Sequence, residues 1–385
     1  MQLPPPSLPG FDFRPRTRVV FGTDTLERVG ELARDLGAKR ALLVTDAGIV
    51  KAGHAGRAVG FIAAAGLQVE VYDTTHENPT THDVKRCVEV ARRSQTDVLI
   101  GLGGGSSMDT AKGCNFLLTN GGEMKEYWGV GKATKPMLPF IAIPTTSGTG
   151  SECQSAALIA DEVTHMKMAC LDPKCAAAVA ILDPLLTLSQ PTGVTACTGT
   201  DALAHALETA VTKKRTPISD LYAREAFKLC IHNLPRVLAK PDDVDARTGM
   251  QLGAAFGGTA IENSMLGAAH SAANPLTARF GVVHGQAVGL MLPAVIKFNA
   301  AVPEARALYT ELARAAGFSS VEDLIRRLEE VLEAANLWKS LRELGVADDA
   351  LPELAAEASK QWTAQFNPRP LSTADFIRLY EEAFA

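Results

Sequence analysis

The sequence predicts a chain in two parts, an α/β half followed by an all-helical half. Two observations carry this. Up to about residue 190 short apolar runs alternate with amphipathic segments, and beyond it the strand-like runs disappear. The alternation begins with RVVFG, TLERVGELARDLG, RALLVTD, a helix around Arg57 to Ala65, and QVEVYD. A helix from Val84 to Arg93, the strand DVLIGLG, a helix opening near Ser107 and the strand FIAIPT come next. SAALIAD, HMKMACLD and AAVAILD close this half as further strands. After LDPLLTLSQP, from about Thr195, the chain reads as helix throughout. The segments are DALAHALETAV, SDLYAREAFKLCIHNL, the apolar 249–272 stretch, AVGLMLPAVIKFN and amphipathic stretches to the end. A boundary near 190 gives expected domains of 1–190 and 191–385, and the PPPSLP opening reads as an extended tail.

Composition narrows the function. The 385 residues are 46% hydrophobic and 21% charged, as in an ordinary globular protein long enough for two cores. With 38 basic and 43 acidic residues, a net charge of −5 and no basic run, the chain lacks the electrostatic footing of a nucleic-acid binder. No run approaches ~20 apolar residues, and MQLPPPSLPGFDF has neither the basic nor the hydrophobic region of a signal peptide. We therefore expect a cytoplasmic protein with no membrane partner. Cys87, Cys114, Cys153, Cys170, Cys175, Cys197 and Cys230 are scattered and include no CxxC, which argues against a disulfide framework and a thiolate zinc site.

Two loops carry nucleotide chemistry. DVLIGLG runs into GGSSMDTAKG, so a buried strand passes through Gly103, Gly104 and Gly105 into Ser106 and a helix. Glycines let a ligand approach the backbone, and free N–H groups at a helix start favour pyrophosphate. The order differs from GxGxxG, because the sixth position counted from Gly101 is Ser106. A second loop, PTTSGTGSE, offers hydroxyl and amide donors after another apolar strand. Asp46, at the end of RALLVTD, is placed either to accept from a ribose while repelling the extra phosphate of NADP, or to cap the next helix.

Asp201, His205, His270 and His284 supply one carboxylate and three imidazoles. If TGTDALAHALET is helical, the i, i+4 spacing puts Asp201 and His205 on one face. His270 and His284 follow in HSAANPLTARFGVVHG, from two elements that fold back toward that helix. Such a set is compatible with Fe(II), Zn, Ni or Mn. His270 sits where Glu262 is the only charge between Arg247 and Arg279, in a segment that reads as buried and makes an unpaired imidazole costly. His54, His76, His82, His165 and His232 read as ordinary core or surface histidines.

Taken together, the motifs resemble the iron-containing, or group III, alcohol dehydrogenases over nearly the whole chain. GLGGGSSMDTAK, IPTTSGTGSE, ILDPLLT, TGTDALAHALE with the later histidines, HENPT and NPRPLSTADFIRLYEEAF are all similar to that family. The resemblance implies a Rossmann-like N-terminal domain and an all-α C-terminal domain, a fold shared with dehydroquinate synthase, with the active site in the cleft between them. It implies that Asp201, His205, His270 and His284 are catalytic metal ligands, with Fe(II) first among the candidate metals. Gly103, Gly104, Gly105, Ser106 and Asp109 would line the pyrophosphate, Thr145, Thr146 and Thr149 the nicotinamide side, and Lys167 the ribose. Leu186 and Thr187 would line the same cleft, and Asp46 matches a position that favours NAD over NADP.

The expected activity is reversible hydride transfer between a small-molecule alcohol and NAD(P), with NAD favoured over NADP, giving an aldehyde or ketone. RTRVVFG is expected to pair with a second subunit, making a homodimer or higher homo-oligomer. Two alternatives use related folds. A lyase like dehydroquinate synthase needs a cationic pocket, and this half is poor in Lys and Arg near the site; a maleylacetate reductase lacks the metal set. Two departures bear on substrate: Asn274 and Thr277 stand where relatives carry the second His and the Gly of HxxxHPLG, and QWTAQFNPRP lacks the usual cysteine before NPR.

Overall fold

Nine strands form among the described residues, which are 10–164 and 166–384 of the computed structural model; the PPPSLP opening and His165 lie outside them. They are β1 (Arg18–Phe21), β2 (Arg40–Val44), β3 (Gln68–Tyr72), β4 (Val98–Gly103), β5 (Gly129–Val130), β6 (Phe140–Pro144), β7 (Ala156–Ala160), β8 (Lys167–Leu171) and β9 (Val179–Leu182). Six of these make a sheet in the order β1-β9-β6-β4-β2-β3, with every neighbouring pair parallel. Helices cover both faces of such a sheet, so its inner strands carry apolar residues on both sides. Leu42 and Val44 of β2 join one core with Met108, Phe116 and Phe140, while Leu43 between them joins the other with Ile62, Ile100 and Ile181. Each such buried side chain contributes roughly 1.5–3 kcal/mol.

The covering helices are α1 (Val29–Asp35), α2 (Ala47–Lys51), α3 (His54–Ala64), α4 (Thr81–Arg93) and α5 (Gly105–Asn120). The HENPT segment ends in the cap of α4: Asp83 N–H donates to Thr80 Oγ1 at 3.3 Å, and Thr80 N–H donates to Asp83 Oδ2 at 2.9 Å. Two of the expected strands leave the main sheet. β7 and β8 pair antiparallel, and with β5 they make a separate sheet of order β5-β8-β7. β5 has only two residues and left no pattern to read.

Helices follow from there on: α6 (Thr192–Val211), α7 (Pro217–Ala239), α8 (Val244–Glu262), α9 (Ala268–Phe280), α10 (His284–Asn299), α11 (Pro303–Ala315), α12 (Val321–Ala334), α13 (Leu351–Ala358) and α14 (Thr373–Phe384). The apolar 249–272 stretch is two helices, broken between Glu262 and Ala268 by a segment that ends in Gly267. No described helix is long and apolar enough to cross a membrane. Contacts divide the chain into two compact units. One comprises Pro15–Thr195 with Lys240–Gly258, the other Ala196–Ala239 with Thr259–Ala385 and the N-terminal stretch up to Arg14. Most of α8 thus groups with the α/β unit. Helical periodicity cannot report this, because it fixes which face is apolar and not which neighbour covers it.

Candidate metal centre and nucleotide loops

In the helical unit, α6 presents Asp201 and His205 one turn apart, α9 presents His270, and His284 opens α10. The three imidazole Nε2 atoms converge on a single carboxylate oxygen. From Asp201 Oδ1, His270 Nε2 is 3.3 Å away, His205 Nε2 3.5 Å and His284 Nε2 3.8 Å. Ligand atoms of Asp201, His270 and His284 all lie within 4.8 Å of one another, and His205 stacks on His270 with ring centroids 5.0 Å apart. Bonds of about 2.1 Å to a tetrahedral ion place its ligand atoms about 3.4 Å apart, so this spacing fits a first-row divalent ion. Asp201 Oδ1 and His270 Nε2 are buried and make no hydrogen bond. Leaving such atoms unsatisfied is costly unless something else occupies their lone pairs. His284 is the most open of these four side chains, with 30% of it exposed.

A carboxylate that the sequence reading passed over completes the centre. Glu208, two turns beyond Asp201 on α6 and buried, receives the Nδ1 proton of His270 at 2.5 Å and the Ala269 N–H at 2.7 Å. A proton held at Nδ1 leaves Nε2 as the donor atom toward Asp201. Burial favours the uncharged imidazole, yet Glu208 and Asp201 outweigh it and push His270 up to about 9. Burial likewise favours a protonated Asp201, but the rings of His205, His270 and His284 hold it well below the usual carboxylate range. Two carboxylates make this pocket a field for a cation. Close packing of α10 on α6 depends on Gly285 and Gly289. A Cβ on Gly285 would strike the Cys197 carbonyl, and one on Gly289 would strike the Thr200 methyl.

In the α/β unit, β2 and β4 lie side by side while their chain continuations go opposite ways, to β3 and to β6. This is the switch point where such sheets take ligands at their carboxyl ends. Gly103 has φ +151°, a conformation L side chains rarely adopt, and Gly104 precedes α5 without a side-chain cap. Thr145 N–H donates to the Gly103 carbonyl at 2.9 Å, tying the second loop to the first. A Cβ on Gly104 would lie 3.5 Å from the Thr146 methyl, and one on Gly105 only 2.9 Å from that of Thr149. The hydroxyls of Thr45, Thr146 and Ser147 are buried without hydrogen-bond partners, as donors awaiting a ligand would be. Asp46 takes the capping place and also lies against the glycine loop. Its Oδ1 caps α2 by accepting from Ile49 N–H at 3.1 Å, and its Oδ2 accepts from Ser107 Oγ at 3.5 Å beside the glycines.

The remaining predicted residues separate by exposure. Ser106 is half-buried, and its carbonyl accepts from Thr110 Oγ1. Lys167 is exposed at the start of β8; burial raises Asp109 to about 6 even with the Lys112 and Lys167 ammonium groups lowering it. Asp109 itself accepts from Ser151 Oγ at 3.2 Å. Lys112, fully buried, donates to the carbonyls of Ser151, Gln154 and Ala156, fastening the second loop to α5. Leu186 and Thr187 are both fully buried, and the Thr187 hydroxyl is spent on the Pro184 carbonyl at 2.7 Å. Asn274, one turn after His270, donates from Nδ2 to Gln361 Oε1 at 3.1 Å. None of the seven cysteines forms a disulfide.

A sequence model of the iron-containing alcohol dehydrogenases matches residues 15–184, and one for the C-terminal part of the same family matches residues 195–384. The chain belongs to the iron-containing alcohol dehydrogenase family. It is 35% identical over 370 residues to the NAD-dependent methanol dehydrogenase of Bacillus methanolicus, covering 94% of this chain and 97% of that one. Its fold superposes on a 1,3-propanediol oxidoreductase with a TM-score of 0.93 at 32% identity, over 98% and 100% of the two chains. A sulfoacetaldehyde reductase from Bifidobacterium kashiwanohense, solved in complex with NAD+, gives a TM-score of 0.90 at 27% identity, over 97% and 99%. As a member of this family the chain is an alcohol dehydrogenase, with the parallel sheet and helical C-terminal half that the family's fold requires.

Proposed function

We propose that this enzyme transfers hydride reversibly between a small alcohol and NAD, using a divalent metal held by Asp201, His205, His270 and His284. The convergence of three Nε2 atoms on Asp201 Oδ1 carries the metal assignment. When bound, the ion supplies Lewis acidity that lowers the pKa of the alcohol hydroxyl. The family points to iron, and the donor set accepts Zn, Ni or Mn as well. Glu208 holds the His270 proton at Nδ1, so that ring stays oriented through the reaction. The α/β unit takes NAD on Gly103, Gly104, Gly105 and Ser106, with Thr145, Thr146 and Thr149 on the nicotinamide side; the helical unit supplies the metal and catalysis. The carbinol carbon gives up a hydride to nicotinamide C4 and the hydroxyl gives up a proton, so alcohol and NAD+ become carbonyl and NADH. Asp46 Oδ2, beside the glycines, favours a free ribose 2′-hydroxyl over a 2′-phosphate.

The relatives act on methanol and 1,3-propanediol by name, which supports a small alcohol as substrate. Asn274, held by Gln361, gives the residue one turn from His270 an uncharged amide. We also infer a homodimer or higher homo-oligomer. β1 is an edge strand paired only with β9, and its Val19 and Phe21 are exposed; light scattering that returned a monomer mass would refute it. Reduced cysteines and NAD chemistry accord with a cytoplasmic enzyme. The deciding experiment measures metal content and NADH formation on a panel of alcohols after loading with Fe(II), Zn, Ni or Mn. Activity that survives complete metal removal would overturn the proposal, as would failure with every alcohol and carbonyl tried.

A further inference from the structure

One face of α8 is anchored at one level and touches the nucleotide region at two more. Arg247, Gln251, Ala254 and Gly258 follow one another at i, i+4, i+7 and i+11, so they share a stripe along the helix. Arg247 is 2% exposed. Its Nε donates to the Pro241 carbonyl at 2.9 Å, and its Nη1 to Thr195 Oγ1 at 3.1 Å and Gln190 Oε1 at 3.4 Å. These bonds pin the start of α8 to the first turn of α6. Gln251, fully buried, donates from Nε2 to the carbonyls of Pro144 and Asp183, both at 3.3 Å. Pro144 ends β6 where the threonine loop begins, and Asp183 follows β9, so one amide ties the carboxyl ends of two strands.

At the third level two backbones meet. A Cβ on Gly150, which has φ +63°, would stand 2.6 Å from Gly258 Cα and 2.8 Å from the Ala254 carbonyl, and a Cβ on Gly258 would strike the Gly150 carbonyl. Glycine weakens a helix interior, and here it admits the GTG turn against the helix. Thr149, next to Gly150, is the residue that packs on Gly105 at the start of α5. We propose that α8 is a positioning element for the nucleotide site: Arg247 anchors it, Gln251 joins it to the strand ends, and Gly258 sets how closely Thr149 approaches the glycine loop. The proposal rests on these loops being the NAD site.

The test compares NADH binding by fluorescence titration, metal content and thermal denaturation in the wild type, Gly258→Ala and Gln251→Leu. Alanine strengthens the helix but displaces the Gly150 turn. Gly258→Ala is expected to raise the NADH Kd about ten-fold or more, with metal content near that of the wild type and a lower denaturation midpoint. Gln251→Leu, which keeps the bulk and removes the donor, shifts the Kd in the same direction and serves if Gly258→Ala does not fold. Wild-type NADH affinity in the folded variants overturns the proposal, including the case where the denaturation midpoint falls and the Kd does not. A wild type that binds no NADH overturns the nucleotide assignment itself, and that result is visible before any variant is made.

Discussion

The proposed metal centre and the proposed nucleotide loops solve opposite problems. The first is a constellation of side chains: four donors from three helices, oriented by Glu208, with a buried carboxylate held ionised by its imidazole neighbours. The second is a constellation of backbone. Glycines at 103, 104 and 105 clear space, threonines of the next loop close over it, and the buried acids nearby, Asp109 and Glu152, are shifted the other way, toward the neutral form. Side-chain sites fail when one atom is removed, and backbone sites when one atom is added.

The largest expected effect breaks the first kind. His270→Ala removes a donor and uncovers Glu208, so bound metal is lost and NAD-linked turnover falls roughly 10³-fold or more. Elemental analysis with NADH formation checks it, and full turnover in a metal-free variant would end the assignment. Next comes the addition of an atom. Gly105→Ala places a Cβ against the Thr149 methyl, and we expect the NADH Kd to rise roughly ten- to a hundred-fold while metal content stays at wild type. Metal loss in this variant would erase the distinction between the two regions. Glu208→Gln is subtler. It keeps the shape and an oxygen for Ala269 N–H but loses the anion at His270 Nδ1, which costs about 10–100-fold in metal affinity by the usual weight of such outer partners, read by chelator competition.

Asp46→Ser sharpens the second region. Serine still caps α2, so stability holds, but the charge beside the glycines disappears. The preference for NAD over NADP, as a ratio of kcat/KM, should fall by about ten-fold, about 1.4 kcal/mol of discrimination. An unchanged ratio would leave Asp46 as a cap and nothing more.

The two regions were also unequally legible in sequence. Asp201 with His205 announced itself through i, i+4 spacing, and His270 through its setting in an uncharged stretch. Glu208 did not, since a glutamate on a helix reads as a solvated face until the packing of α9 shows it buried. The glycine loop could be located because three consecutive glycines after a buried strand mark a turn that needs the conformational freedom of glycine. The work of α8 could not, because apart from the Pro241 carbonyl the partners of Arg247 and Gln251 are more than 50 residues away. β7 and β8 were legible as strands but not as a second sheet, for strand pairing is not a local property.

The smallest effect concerns the electrostatic half of the contrast. Glu152, the last residue of the threonine loop, is buried, and burial pushes it from its ordinary 4.5 up to about 7, against its own main chain and the Lys112 ammonium. Between these values the folded protein holds a proton that the unfolded chain has released. The contribution is therefore fully present below about 4.5, declines as pH rises through 7 and is flat above it. At about 1.4 kcal/mol per pKa unit the loss amounts to about 3.5 kcal/mol at most. Glu152→Gln, isosteric and permanently neutral, should lack this decline. Its urea midpoint should match the wild type near pH 4.5 and exceed it at pH 8. Parallel pH profiles for the two proteins would show that Glu152 is ionised in the fold, and that burial there is offset as completely as it is at Asp201.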